Sequence, residues 1–237
     1  MATEVDAVVL CLPADGDVEE VMIGPEGILA TAPSGLLIVD TSTIAPSTAR
    51  RLAARCRAEE VAFVDAPVSG GPEGVARGSL AVMAGGEDEP VARARQVLQP
   101  VTGRFVHVGG PGSGQIAKAC NQVAVAATIQ VVVEALHLAE AAGADPRRVR
   151  EALLGGFAAS RVLEVHGQRM LDRDFVPGGR VRNQVKDLHL VAELCEEVDV
   201  EFPMAKLVLS LFEELVDLGG GDLDHAALYL RQVGMDP

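Results

Sequence analysis

An α/β sheet domain followed by an all-helical domain is the fold class that this sequence predicts, and three observations predict it. Short apolar runs recur through the first half, punctuated by glycine and proline. The second half has helical stretches and almost no strand signal. Between them, residues 115–142 contain neither glycine nor proline and are mostly apolar, the pattern of one long buried helix. Buried strands that alternate with helices make a sheet at least partly parallel, because the crossover helices cover its faces.

The elements follow in order. Val5 to Leu12 is a β-branched run and the first expected strand; Leu36 to Val39, closed by Asp40, is the second. Phe63 to Ala66, Leu80 to Ala84 and Arg104 to Val108 complete the strands. Helices are expected at about Asp17 to Met22, Pro46 to Arg57 and Pro90 to Leu98. Thr43 or Ser47 could cap the second of these, with Pro46 in its first turn. The long helix stops at Gly143, a left-handed terminator. Asp145-Pro146 starts a helix to about Leu154, and Ser160 caps another to about Leu171. Helices at about Asn183 to Glu197 and Pro203 to Leu218 follow, then Gly219-Gly220-Gly221 and a last helix from Asp224. The expected boundary lies near Gly112, dividing the chain into residues 1–111 and 112–237.

Composition narrows the function. Hydrophobic residues make up 49% of 237 positions, enough for packed cores, and only 3% are aromatic, so those cores are built from Val, Leu, Ala and Ile. The net charge of −14 is spread along the chain, which argues against nucleic acid or an anionic membrane as partner. An anionic substrate is compatible with it where local positive charge overrides the global field. Cys11, Cys56, Cys120 and Cys195 show no metal or redox spacing, and the five histidines are isolated. These cysteines are expected to be reduced and largely buried, and no metal site is expected. The N-terminus has no signal-peptide pattern, and the run Val123 to Val133 is too short to span a bilayer. The expectation is a soluble cytoplasmic protein.

Chemistry concentrates in a few stretches. Lys118 opens the long helix, with Asn121 and Gln122 three and four residues on and therefore on its face. A buried ammonium costs free energy unless a partner, water or substrate meets it, which makes Lys118 a candidate proton donor. Gly112-x-Gly114-x-x-Ala117 superficially fits a dinucleotide fingerprint, but Glu134, at the spacing of the required acid, sits inside the helix. Its glycines are therefore read as allowing close backbone packing. Asp65 to Pro72 ends a strand in a Ser69-Gly70-Gly71 turn, which suits either an anion-binding nest or a simple turn. Asp40 to Thr43 lies after a strand, where open α/β sheets bind ligands, although such residues are usually caps. Lys186-Asp187, taken alone, reads as a solvated surface pair.

Together these pieces resemble the β-hydroxyacid dehydrogenase family, which includes 3-hydroxyisobutyrate dehydrogenase, tartronate semialdehyde reductase and, more distantly, 6-phosphogluconate dehydrogenase. Five landmarks appear in family order: Leu12-Pro13, Asp40 to Thr43, Asp65 to Gly71, Gly112-x-Gly114-x-x-x-Lys118-x-x-Asn121-Gln122, and Lys186-Asp187. The resemblance implies NAD or NADP as cofactor and a small 3-hydroxy acid or its semialdehyde as substrate. It implies Lys118 as general acid and base, and Ser69, Gly70 and Gly71 as the loop holding the substrate carboxylate. The substrate-contacting amide four residues after the lysine, Asn in several members, is Gln122 here; preceded by Asn121, it joins the substrate-binding set in a pairing that looks like the tartronate semialdehyde reductase branch. Leu12, Pro13, Asp17 and Thr43 match residues on the nicotinamide side, and Lys186 a lysine near cofactor and active site. A homo-oligomer built on the helical domain is also implied.

By the same resemblance the chain begins at what looks like the fourth strand of an incomplete Rossmann-type sheet. About 60 residues, roughly two βα steps, would be absent, and with them the pyrophosphate-binding glycine turn. The sheet is then expected to expose an apolar edge and to grip NAD(P)H weakly. One explanation is an upstream start of an ordinary enzyme; the other is a genuinely short, non-catalytic homologue that only dimerises. An imine-reducing enzyme is a third reading, disfavoured because such relatives generally lack the lysine at position 118.

Overall fold

The computed structural model describes residues 4–235 and 237, in two compact units, Met1–Cys120 and Asn121–Pro237. The first holds a six-stranded mixed sheet, and the second is helical.

Strands β1 (Ala7–Leu10), β2 (Leu37–Asp40) and β3 (Ala62–Asp65) run parallel. Their last residues, Leu10, Asp40 and Asp65, lie opposite one another, so three strands end at one level. β2 is buried along its whole length, as its Leu-Ile-Val-Asp sequence requires of a central strand. The short β4 (Val68–Ser69) pairs antiparallel with β5 (Leu80–Gly85), which also meets β3 antiparallel and β6 (Thr102–Gly109) in parallel. β1 forms one edge, with Val9 half exposed.

Alternate residues of β2 enter two different cores, because successive side chains point to opposite faces. Ile38 packs with Leu10, Val18, Met22, Leu52 and Cys56, under helices α1 (Asp15–Ile23) and α2 (Pro46–Ala58). Leu37 and Val39 pack with Val64, Val82, Val91 and Leu98 across the sheet. A short helix α3 (Gly71–Ala76), like β4, was not expected; α4 (Asp88–Leu98) was. The cap of α2 differs from expectation. Ala45 occupies that position, and its N–H donates to the Asp15 carboxylate at 2.9 Å, so neither Thr43 nor Ser47 serves.

Helix α5 (Ser113–Ala141) is 29 residues long. As a whole it is long and apolar enough to cross a membrane, which the shorter run Val123 to Val133 had not indicated. Its inward residues Ala126, Ile129, Val133 and Leu136 instead form the core of the helical unit. They pack there with residues of α7 (Arg161–Asp172), α8 (Val181–Glu197), α9 (Pro203–Asp217) and α10 (Leu228–Gln232). α6 (Pro146–Leu154) and α7 start as expected, with Asp145 accepting from Arg147 N–H and Ser160 from Leu163 N–H. The final helix begins later than expected: Asp224 caps a 3-10 turn, His225–Ala227, and α10 follows. The thiols also depart from expectation. Cys56 and Cys195 are buried, whereas Cys11 and Cys120 are exposed.

Asp224 is a buried hub of this unit. Its carboxylate accepts from the N–H groups of Gly178, Gly179 and Ala226, and pairs with Arg169 at 2.8 Å and His166 at 3.3 Å. Burial pushes Asp224 up, but His166 and the Ala226 and Gly178 amides outweigh it and hold the carboxyl well below the usual range. Burial lowers the neighbouring His225 from 6.5 to about 4, with Asp224 opposing. At His225 the folded state therefore binds fewer protons than the unfolded one between pH 6.5 and 4, and the stability contributed by this group falls as pH drops through that window. The Asp224 contribution is lost below it. Urea unfolding from pH 7 to 4 is expected to show the stability advantage of the wild type over His225→Gln shrinking as pH falls; an advantage that does not change with pH would rule out the His225 contribution.

Candidate active site

The level ends of β1, β2 and β3 put the loops after them on one edge of the first unit. The carboxyl ends of parallel strands are where α/β sheets bind ligands. Asp65, the last residue of β3, is fully buried and accepts from Gly112 N–H at 2.8 Å and Gln115 N–H at 3.0 Å. It thus satisfies backbone donors at the start of α5 that no turn of that helix can reach. Burial pushes its carboxyl up to about 7, against the pull of those same amides.

Close backbone contact fixes this joint. A Cβ at Gly114 would lie 2.5 Å from the carbonyl oxygens of both Asp65 and Met83, and one at Gly112 (φ 85°) 2.9 Å from that of Pro46. The expectation that these glycines serve packing is met.

Lys118 lies just past this joint and is 8% exposed. Its Nζ donates to the Val68 carbonyl at 2.9 Å, which sets the ammonium beside the loop that continues through Ser69, Gly70 and Gly71. Ser69 is half-buried at the end of β4, paired opposite Ala81. Gly70 (φ 137°) and Gly71 (φ 62°) take conformations that side chains disfavour, so glycine is required at this tip.

Leu12, Pro13 and Thr43, expected on the cofactor side, follow β1 and β2 on the same edge. Leu12 donates its N–H to Ser42 Oγ at 2.8 Å, and Ser42 N–H donates to Asp40 Oδ1 at 2.9 Å. Thr43 and Leu12 are half-buried, while Pro13 and Asp17 are exposed. Two apolar side chains and a hydroxyl suit a nicotinamide ring. The β1–α1 connection does not suit a pyrophosphate: it has no glycine before α1, and Asp15 and Asp17 stand in the first turn. This edge therefore fits the nicotinamide end of the cofactor.

In the helical unit Gln122 is 6% exposed and fully engaged. Its Nε2 donates to Asp187 Oδ2 at 2.5 Å and to Gln184 Oε1 at 3.2 Å, and its Oε1 accepts from Asn121 Nδ2 at 2.7 Å. Lys186 pairs with Asp187 at 3.0 Å. Lys186-Asp187 is thus not a solvated pair: Asp187 is only 8% exposed, drawn inward by the Gln122 amide. Sequence reasoning gave no role to Gln115 or Gln184, and named Asp65 and Asp187 only as members of their motifs. Gln115 had a signal, three residues before Lys118 on the same helix face. Among the described residues no group of three His, Cys, Asp or Glu could hold a metal.

Comparison with known proteins identifies the family. Residues 1–110 match the family model of the NAD binding domain of 6-phosphogluconate dehydrogenase. Residues 112–231 match the one described as NAD-binding of NADP-dependent 3-hydroxyisobutyrate dehydrogenase. The 2-hydroxy-3-oxopropionate reductase of Escherichia coli K12 is 40% identical over 223 residues, covering 94% of this chain and 76% of the relative. The chain belongs to the β-hydroxyacid dehydrogenase family. It is accordingly an NAD(P)-dependent oxidoreductase. The 3-hydroxyisobutyrate dehydrogenase of Pseudomonas aeruginosa is 34% identical over 87% of this chain and 72% of its own length. Among solved structures, 3-hydroxyisobutyrate dehydrogenase from Salmonella typhimurium superposes with a TM-score of 0.88 at 29% identity, covering 97% of this chain and 80% of that one. That from Mycobacterium tuberculosis, solved with L-serine, gives 0.86 at 29% identity, covering 98% and 80%.

Proposed function

We propose that this β-hydroxyacid dehydrogenase interconverts a small 3-hydroxy acid and its semialdehyde, with 2-hydroxy-3-oxopropionate (tartronate semialdehyde) as first choice and Lys118 as general acid and base. One observation carries the reading: a nearly buried ammonium hydrogen-bonded to Val68, the residue next to Ser69. Bound NAD(P)H supplies the hydride. Ser69 Oγ and the N–H groups of the Gly70-Gly71 tip take the substrate carboxylate, which fixes the carbonyl relative to Lys118. As the carbonyl oxygen becomes an alkoxide, Lys118 Nζ delivers its proton, and in the reverse direction the free amine accepts one. Asn121 and Gln122, within a turn of Lys118 on α5, serve the substrate side, with Gln122 orienting Asn121 through their hydrogen bond.

Leu12, Pro13, Asp17, Thr43 and Lys186 serve the cofactor in this proposal. The helical domain, from Gly112 on, pairs with a second copy; Val131 and Leu138, seven residues apart on α5, are largely exposed and apolar. Four free thiols suit a reducing cytoplasm.

The purified chain with excess NADH or NADPH is expected to reduce tartronate semialdehyde and to leave a neutral cyclic imine untouched. Faster reduction of the imine than of any carboxylate-bearing semialdehyde would overturn the proposal.

A further inference from the structure

Gln115 contacts the loop that carries Thr43, and nothing in the proposed chemistry uses it. It is 1% exposed, and its side-chain amide bonds to the strand-end edge. Its Oε1 accepts from Ile44 N–H at 3.2 Å, its Nε2 donates to the Ser42 carbonyl at 2.8 Å, and its own N–H goes to Asp65. Ser42 in turn holds Leu12 through its hydroxyl. One side chain therefore ties the β2 loop directly, and the β1 loop at one remove, to the first turn of α5.

We infer that Gln115 is a positioning residue, fixing the nicotinamide-side loops to the helix turn that carries Lys118. The chemistry of the gap selects an amide. The loop presents one acceptor, the Ser42 carbonyl, and one donor, the Ile44 N–H, two residues apart. A planar group with a donor and an acceptor side by side matches both, and the backbone partners dictate which end is oxygen. Asparagine is one methylene too short. Glutamate serves Ile44 but sets a carboxylate oxygen against the Ser42 carbonyl. Lys118 follows three residues later, about 4.5 Å along the helix axis. Movement of residues 42–44 relative to the helix changes the distance between the groups facing the nicotinamide and the proton donor. A misplacement of about 1 Å costs on the order of 100-fold in rate.

The inference rests on the proposed role of Lys118, and its test separates the two. Amide hydrogen exchange, read residue by residue by NMR on the full chain without cofactor, is expected to quicken at Ile44 by about tenfold or more in Gln115→Leu. In Gln115→Glu, which keeps the Ile44 bond, the change is expected to be smaller; this variant also serves if the leucine variant folds poorly. Protection at Ile129 and Val133, in the helical core, stays as in the wild type. In turnover, both variants are expected to lose about tenfold or more in kcat per folded molecule, with KM for the semialdehyde nearly unchanged. The primary isotope effect from deuterated reduced cofactor is expected to rise as hydride transfer becomes rate-limiting. Unchanged exchange at Ile44 in Gln115→Leu overturns the inference. So does faster exchange with kcat and isotope effect per folded molecule unaltered, since that is a structural tie only. If Lys118→Met retains turnover, the proton-donor proposal fails, while the exchange measurement still decides whether Gln115 holds the loop.

Discussion

Lys118→Met is expected to lower kcat for semialdehyde reduction by about 10²–10⁴-fold, the usual contribution of a positioned proton donor. Methionine fills much of the same volume, and the bond to the Val68 carbonyl is lost. Stability should fall by about 1–3 kcal/mol, because the Val68 carbonyl loses that donor. Because the proton moves in the transition state, kcat and kcat/KM should drop together, with substrate affinity nearly preserved. Lys118→Arg is not expected to restore activity, since a guanidinium holds its protons too tightly to donate one. A methionine variant that keeps more than a tenth of the wild-type kcat would remove Lys118 from the role.

Gly114→Ala is the second large effect, and it acts on the fold. Alanine is the better helix former by about 1 kcal/mol, so propensity alone predicts stabilisation. Space decides otherwise. The added methyl would sit 2.5 Å from two backbone carbonyl oxygens and 2.8 Å from Asp65 Oδ2, a buried carboxylate held by the Gly112 and Gln115 amides. The start of α5 has to lift away from β3 and β5, at a cost near the upper end of the usual 1–3 kcal/mol for overpacking, plus weakened bonds to Asp65. Denaturant unfolding should show a net loss of stability. Turnover should fall too, because Gln115 and Lys118 ride on the displaced turn. An equal or higher unfolding midpoint for Gly114→Ala would refute this account of the joint.

Much of the architecture was legible along the chain. Five strands and nearly all the long helices lie where apolar periodicity and the Gly, Pro, Asp and Ser signals put them, because those signals act over a few residues. Asp145 and Ser160 cap their helices for that reason. Local signals failed where a distant partner intervened. Ala45, with no capping side chain of its own, starts α2 because Asp15, 30 residues earlier, takes its N–H. Lys186-Asp187 looked solvated because nothing nearby reveals that Gln122, 65 residues away from Asp187, draws the carboxylate inward.

The site divides in the same way. Sequence alone determined that an amine rides one turn into a long apolar helix, with two amides following on its face. It also determined that a Ser-Gly-Gly turn ends a strand. The tertiary structure decided what these groups meet: Lys118 the Val68 carbonyl, Gln115 both backbone groups of the Thr43 loop, and Gln122 a buried carboxylate in its own unit. The reason is register. Leu10, Asp40 and Asp65 end their strands at one level only once the parallel ladder has formed. Hydrogen bonds across 47 to 73 residues depend on that alignment, which no periodicity of three or four residues can encode.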